Sequence, residues 1–367
     1  MVTSEPATSA PVVSVIVPAR NEEASLGSCL ESLVAQDGVA FEIIVVDDGS
    51  TDRTREIAQS FPRVRLIDAA SLPQGWTGKN NAMAAGTREA LGEWLLFTDA
   101  DTVHRPGSLA RAVAEAGKHS AALLSYSPEQ EVHGLWEKSV MPVIFAELAA
   151  TYKPSQVSNP ASPAAAANGQ YLLISREAYD AVGGHAAVAN SLLEDVALAR
   201  AVKALGRRIF FRYGGDAVRT RMYRNFAQLR EGWTKNLALL FPSAGRLAVM
   251  RFTEFVLIVG SAAIAIIAAI DSRLRVAAAV GLLGVTLLSL FLQRIRKAHF
   301  SWDANIFSLI GLPLFSYLLI RSRVSYKKGI VIWKERTYAS PTPGPGSQTR
   351  LCIGVEEPAF GPRLKHP

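Results

Sequence analysis

Two carboxylates one residue apart, Asp99 and Asp101, close the apolar run Leu95-Leu96-Phe97. An unpaired buried charge is strongly unfavourable, so a buried strand that ends in two of them points to a bound cation. A hard divalent ion, Mg2+ or Mn2+, accepts such oxygen ligands and shares its remaining positions with phosphate. The chemistry this spacing offers is therefore that of a metal and nucleotide-diphosphate site. A second pair, Asp47-Asp48, ends another apolar run just before Gly49. A third, Glu194-Asp195, follows Leu192-Leu193, and Lys79 stands in the glycine-punctuated loop Gly75-Trp76-Thr77-Gly78-Lys79. A lysine there, at the start of a helix, can lie against a phosphate.

The elements that must carry these groups read as alternating strands and helices. Residues 13–18, 41–46 and 63–67 are apolar or β-branched runs, the marks of buried strands. After the first, Asn21 reads as an N-cap and Leu26, Leu30 and Leu33 share one helical face. Ser50 reads as the cap of a helix through Thr54 and Ile57, and residues 79–91 as a third helix. Ser191 to Glu194 has the form of a capping box for a helix that stops at Gly206. Strands apolar along their whole length, each followed by a helix, imply a mostly parallel α/β sheet covered on both faces. Ligands of such sheets bind at the carboxyl ends of the strands, where Asp47, Asp48, Asp99 and Asp101 lie. The turn Pro18-Ala19-Arg20-Asn21-Glu22-Glu23 holds no glycine, which argues against a dinucleotide-binding fold. No Walker-type loop is present either.

Across 367 residues the formal charge is +7, compatible with nucleic acid, anionic lipid or a phosphorylated substrate. Cys29 and Cys352 lack partner motifs, so neither a disulfide scaffold nor a zinc site is expected. Residues 1–11 read as a flexible N-terminus without the features of a secretory signal, which sets the following domain in the cytoplasm. Residues 12–245 read as one catalytic domain. Composition then shifts to a membrane domain at 246–325, with apolar segments at 252–270, 276–292 and 305–320. Residues 326–339 read as a basic amphipathic segment at the membrane surface, and 340–367 as a disordered tail. Basic residues flank every apolar segment, the last cluster being Arg321, Arg323, Lys327 and Lys328. Three full crossings would put that cluster outside, against the positive-inside rule, so the third segment, interrupted by Gly311 and Pro313, reads either as a crossing or as re-entrant. Residues 134–152 read equally as a core helix or as an interfacial helix beside the active site.

The ordered set Val-Ser-Val-Ile-Val-Pro-Ala-Arg-Asn-Glu-Glu, Val-Asp-Asp-Gly-Ser-Thr-Asp, Gly78-Lys79-Asn80-Asn81-Ala82, Thr-Asp-Ala-Asp and Leu193-Glu194-Asp195 resembles the family 2 inverting glycosyltransferases of the GT-A fold. The resemblance covers about residues 12 to 240. It implies transfer of one sugar from a nucleotide sugar, with UDP as the carrier. Pro18, Ala19, Glu22, Asp47, Asp48, Lys79 and Asp99 would bind the donor. Asp101, with Asp99, would hold Mg2+ or Mn2+, and Asp195 would be the general base. Glu194, His185, Arg230 and Trp233 would serve the acceptor or the diphosphate. Gln228-Leu229-Arg230-Glu231-Gly232-Trp233 departs by one residue from the Gln-x-x-Arg-Trp element of processive members, which favours single transfer over a polysaccharide synthase.

The layout, with Trp333-Lys334-Glu335-Arg336-Thr337-Tyr338 near its end, is similar to bacterial glycosyltransferases associated with hopanoid and carotenoid pathways. That implies a membrane lipid as acceptor, the bilayer as a partner, no nucleic acid, and a place at the bacterial inner membrane with the catalytic domain facing the cytoplasm. The rival from another class is a non-catalytic nucleotide-sugar-binding scaffold.

Overall fold

The computed structural model describes residues 11–333 and 336–338. The readings for residues 1–10, 340–367 and Cys352 lie outside them.

The first strand, β1 (Val13–Ala19), shows why a continuous apolar run predicts a sheet covered twice. Val13, Val15 and Val17 face one layer with Leu26, Leu30 and Leu33 of α1 (Leu26–Val34). Ile16 faces the other, alongside Ala82 and Met83 of α3 (Gly78–Glu89). Side chains alternate along a strand, so a residue buried at every position needs a cover on each face. Gly86 of α3 meets Ile16 so closely that a Cβ there would stand 2.6 Å from its methyl.

Strands β2 (Phe41–Asp47), β3 (Val64–Asp68) and β4 (Trp94–Phe97) run parallel to β1, with α2 (Thr54–Gln59) between β2 and β3. The short β5 (Thr102–His104) and α4 (Ser108–His119) lead to β6 (Leu123–Ser127) and β7 (Glu129–Gln130). Helix α5 (Leu135–Thr151), the short α6 (Pro154–Val157), β8 (Leu172–Ser175), α7 (Arg176–Ala181) and α8 (Gly184–Ala187) follow. Next come α9 (Glu194–Ala204), β9 (Ile209–Tyr213), β10 (Val218–Thr220) and α10 (Phe226–Leu240). The main sheet has the order β3-β2-β1-β4-β8-β6-β9, and β8 alone runs antiparallel to its neighbours. A second sheet, β5-β10-β7, flanks the end of β4.

Two sequence-read caps differ. Asn21 sits at φ 53° and its side-chain oxygen accepts the Thr51 N–H, while α1 begins five residues later. Ser50 receives the Asn21 N–H, and Asp52 bonds the Thr54 N–H at the start of α2. These polar residues tie the β1 and β2 turns together instead of capping the helices.

Among the described residues three helices are long and apolar enough to cross a membrane: α11 (Ala244–Ile270), α12 (Leu274–Ile295) and α13 (Trp302–Lys327). Helix α13 runs unbroken through Gly311 and Pro313. Gly311 serves close packing instead of interruption, because a Cβ there would fall 1.9 Å from the Ser139 carbonyl oxygen of α5. Helix α5 is a core helix over most of its length: Val140, Met141 and Ile144 are buried against α10 and α13, while Leu135 and Trp136 at its start are about half exposed. Residues 326–339 divide. Tyr326 and Lys327 finish α13, and β11 (Val331–Trp333) pairs antiparallel with β12 (Arg336–Tyr338).

Candidate active site

The carboxyl ends of β1, β2 and β4, the start of α3 and the start of α9 converge on a cavity of about 700 Å³. Pro18, Ala19, Glu22, Asp48, Lys79, Asp99, Asp101, Glu194 and Asp195 all line it. At its centre the Lys79 ammonium lies 2.7 Å from Asp99 Oδ1 and 2.8 Å from Glu194 Oε1. Burial works against the lysine's charge, but the two carboxylates outweigh it and hold its pKa well above the usual lysine value. Glu194 is correspondingly lowered, since Lys79 overcomes its burial.

Glu194 thus belongs to an ion cluster and not to a capping box. Ser191 Oγ takes the Leu193 N–H, and α9 starts at Glu194 itself. The loop that presents it is clamped by Asn80, whose side-chain amide donates to the carbonyls of Val188, Ala189 and Ser191 at 2.9–3.0 Å. Thr77 caps α3 by accepting the Asn80 N–H, which places Lys79 one residue before that clamp.

Asp195 faces the same cluster. Its Oδ2 accepts the Gly169 N–H at 2.8 Å and its Oδ1 the Val196 N–H at 2.8 Å. Burial, reinforced by the neighbouring Glu194, pushes its pKa up to about 6. A Cβ at position 169 would stand 3.1 Å from Lys79 Nζ and 3.3 Å from Glu194 Oε1, so Gly169 lets the backbone approach the charges. Gly169 carries no motif in the sequence.

Three expected site residues lie elsewhere. Asp47 is 4% exposed and does not line the cavity; its Oδ1 accepts the Ser50 N–H, fixing the turn after β2. His185 is buried, 2.8 Å from the Tyr179 hydroxyl and edge-on to Phe97, and is structural. The turn at Gly183 and Gly184 does not line the cavity either. Arg230 lies 6.0 Å from the Phe226 ring centroid and does not line the cavity. Trp233, by contrast, reaches the cavity from the core, its Nε1–H donating to Met141 Sδ at 3.3 Å.

Lys235 and Arg336 are among the further cations that line the cavity. Lys235, one turn from Trp233's neighbours on α10, stands 4.5 Å from the Trp333 ring centroid. Burial draws its pKa down to about 8. Arg336 of β12 pairs with Asp48. No spacing rule marks Lys235, whereas Arg336 belongs to the Trp-Lys-x-Arg-x-Tyr element noted above.

Among the described residues no group of three His, Cys, Asp or Glu side chains is placed to hold a metal by itself. Asp99 and Asp101 nevertheless fit a divalent cation that draws its other ligands from a diphosphate, since both are hard oxygen donors lining the cavity.

Residues 14–183 match the family model described as glycosyl transferase family 2. The chain carries a family 2 glycosyltransferase domain. A 4,4'-diaponeurosporenoate glycosyltransferase of Staphylococcus aureus (strain USA300) is 29% identical to the chain over 342 residues, 89% of this chain and 88% of that protein. The protein of the same name from strain MRSA252 is 28% identical over the same shares. A mannosyltransferase from Pyrobaculum calidifontis, solved in complex with GDP-Man and Mn2+, shares the fold over 87% of each chain, with a TM-score of 0.53 at 20% identity. The GT-A-type α/β sheet followed by long apolar helices is thus the architecture of this glycosyltransferase.

Proposed function

We propose that the enzyme transfers a single sugar, with inversion, from a nucleotide sugar to a membrane lipid. The observation that carries this reading is the position of Asp195: a carboxylate held by two backbone N–H groups beside the Lys79 cluster, on a cavity whose other wall is apolar. That wall is made by Phe145 and Leu148 of α5, Tyr152 just after it, Leu240 of α10, and Ala298. A carotenoid-directed relative of nearly the same length supports a long apolar acceptor.

In this reading Asp195 takes the proton from the acceptor hydroxyl as the oxygen attacks the anomeric carbon, and inversion follows from attack opposite the leaving diphosphate. Its backbone partners, Gly169 and Val196, orient the carboxylate toward the acceptor. Asp48 and Glu22 offer acceptors to the nucleoside, and Pro18 and Ala19 the edge along which it lies. Lys79 holds Asp99 in place and adds positive charge where the diphosphate departs. A Mg2+ or Mn2+ ion held by Asp101 and Asp99 would neutralise that diphosphate. UDP is the proposed carrier.

The test is Asp195→Asn: transfer is expected to fall about a thousandfold while nucleotide affinity stays within about threefold. Near-normal turnover on a lipid alcohol would sink the assignment. The relative's name denotes a carboxylate acceptor, which would arrive already deprotonated. An Asp195→Asn enzyme that still glycosylates a carotenoid acid but not an alcohol would make the acceptor an acid.

For the membrane, we propose that α11 and α12 enter the bilayer of the bacterial inner membrane as a hairpin while α13 stays on the cytoplasmic side with the catalytic domain. Both ends of α13 touch that domain: Asp303 pairs with Lys138 of α5 at 2.5 Å, and Ser322 Oγ donates to the Thr234 carbonyl of α10. Arg246, Arg251, Arg294, Arg321, Arg323, Lys327 and Lys328 then share one side, as the positive-inside rule requires. A cysteine at the exposed Lys328 position should be protected from an impermeant reagent in intact cells; labelling there would restore three crossings. Ser322 is buried and would be protected on either arrangement.

A further inference from the structure

The β11–β12 hairpin closes over the Asp48 side of the cavity. Arg336 reaches Asp48, a residue 288 positions earlier, with Nη1 at 2.5 Å from Oδ2 and Nη2 at 3.1 Å from Oδ1. Trp333, paired across the hairpin with Arg336, lies against Lys235. Trp333, Arg336 and Tyr338 all line the cavity that holds Lys79 and Asp99. The guanidinium also fills the space above Gly78, where a Cβ would stand 1.6 Å from Nη1 and 2.4 Å from Asp48 Oδ2. Glycine at the first position of α3 is therefore what admits this arginine.

A surface brace would have no reason to sit in the ligand cavity. The guanidinium carries five N–H donors in a planar fork; Asp48 uses two of them and the Tyr338 side chain another, leaving donors that match phosphate oxygens. Each oxygen of Asp48 retains a lone pair for a nucleoside. A half-buried carboxylate that aligns an arginine beside a helix N-terminus and a lysine makes a place for an anion, since the arginine otherwise opposes the helix dipole.

We propose that Arg336 is a donor-binding residue: the segment after the last long helix supplies an arginine, oriented by Asp48, to the phosphates of the nucleotide sugar. The proposal rests on the glycosyl-transfer reading above. It makes the donor site incomplete without the hairpin, so donor binding depends on the membrane helices that carry it.

The test measures calorimetric binding of UDP and GDP, each against its monophosphate, with Mn2+ present, to the full chain in detergent. Arg336→Ala is expected to weaken the preferred diphosphate about tenfold and its monophosphate by less than about threefold, since a charge-assisted pair to phosphate is lost. Arg336→Lys, which keeps the charge and loses the fork, should fall between and serves in place of the alanine variant if that one does not fold. Unchanged diphosphate binding, equal loss for mono- and diphosphate, or tighter diphosphate binding would each overturn the role, the last by making the hairpin a plug. Wild-type protein that binds neither diphosphate would overturn the glycosyl-transfer reading and this one together.

Discussion

Two partly buried ion networks organise this molecule, and they differ in what surrounds them. In the first, Lys79 joins Asp99 and Glu194 beside Asp195, on strand and helix ends that open to a cavity. In the second, Arg251 lies 2.9 Å from both Glu147 and Glu254, and Arg294 lies 2.8 Å from Glu254 and 3.6 Å from Glu147. That network links α5, α11 and α12 where the apolar hairpin leaves the catalytic domain, and none of its four members lines the cavity. Burial and ion pairing are common to both, so neither identifies a catalytic centre. What separates them is the place of the first at the carboxyl ends of parallel strands, with a carboxylate left over whose proton affinity is raised.

The comparison breaks if the two networks respond alike to loss of their cation. Lys79→Met should lower kcat/KM about a hundredfold or more, because positive charge at the leaving diphosphate is lost. Arg251→Met should leave the rate per folded molecule within about twofold but destabilise the protein by about 3 kcal/mol, since Glu147 and Glu254 would keep buried charge without it. Thermal unfolding and steady-state transfer, measured on both variants, separate the outcomes. A catalytic loss in Arg251→Met with unchanged stability would erase the distinction.

The pH profile sharpens the same contrast with a smaller effect. Asp195 must be ionised to accept a proton, and its pKa is raised to about 6, so the rate should fall as pH drops through 6. Lys235, lowered to about 8, loses its charge and its hold on Trp333 as pH rises through that value. A bell centred near neutrality is the expected result. Lys79 opposes the rise at Asp195, so Lys79→Met should shift the acid limb upward. Arg251→Met should leave that limb where it is.

The sheet and the strand-end carboxylates are readable in the sequence because burial on both faces forces continuous apolar runs, and each run stops where the chain meets solvent or ligand. Asp48, Asp99, Asp101 and Lys79 follow from that rule together with the motif order. Asp47 does not separate from Asp48 on this basis, because adjacent residues of a strand point to opposite faces and only the fold says which faces the cavity. Glu194 fits a capping box in one dimension, and only the meeting of α3 with α9 reveals its lysine. Gly169 and Lys235 leave no trace, since one acts through absent bulk and the other lies in an amphipathic helix. The Trp-Lys-x-Arg-x-Tyr segment is basic and aromatic, which describes a membrane surface and a phosphate site equally well; the pairing of Arg336 with Asp48 is a contact that no local pattern encodes.

Arg230 provides the smallest expected effect and the control for both networks. Its place in the Gln-x-Arg-Glu-Gly-Trp run associates it with the diphosphate, yet two residues separate it from Trp233 where the Gln-x-x-Arg-Trp pattern has none. Trp233 lines the cavity from the core, while Arg230 lies against the Phe226 ring and does not line it. Arg230→Ala should then change kcat/KM by less than about threefold and stability by less than about 1 kcal/mol, the range for a partly exposed cation on an aromatic ring. A hundredfold kinetic loss in that variant would mean that α10 rotates when donor binds, and that cations outside the cavity at rest belong to the catalytic network.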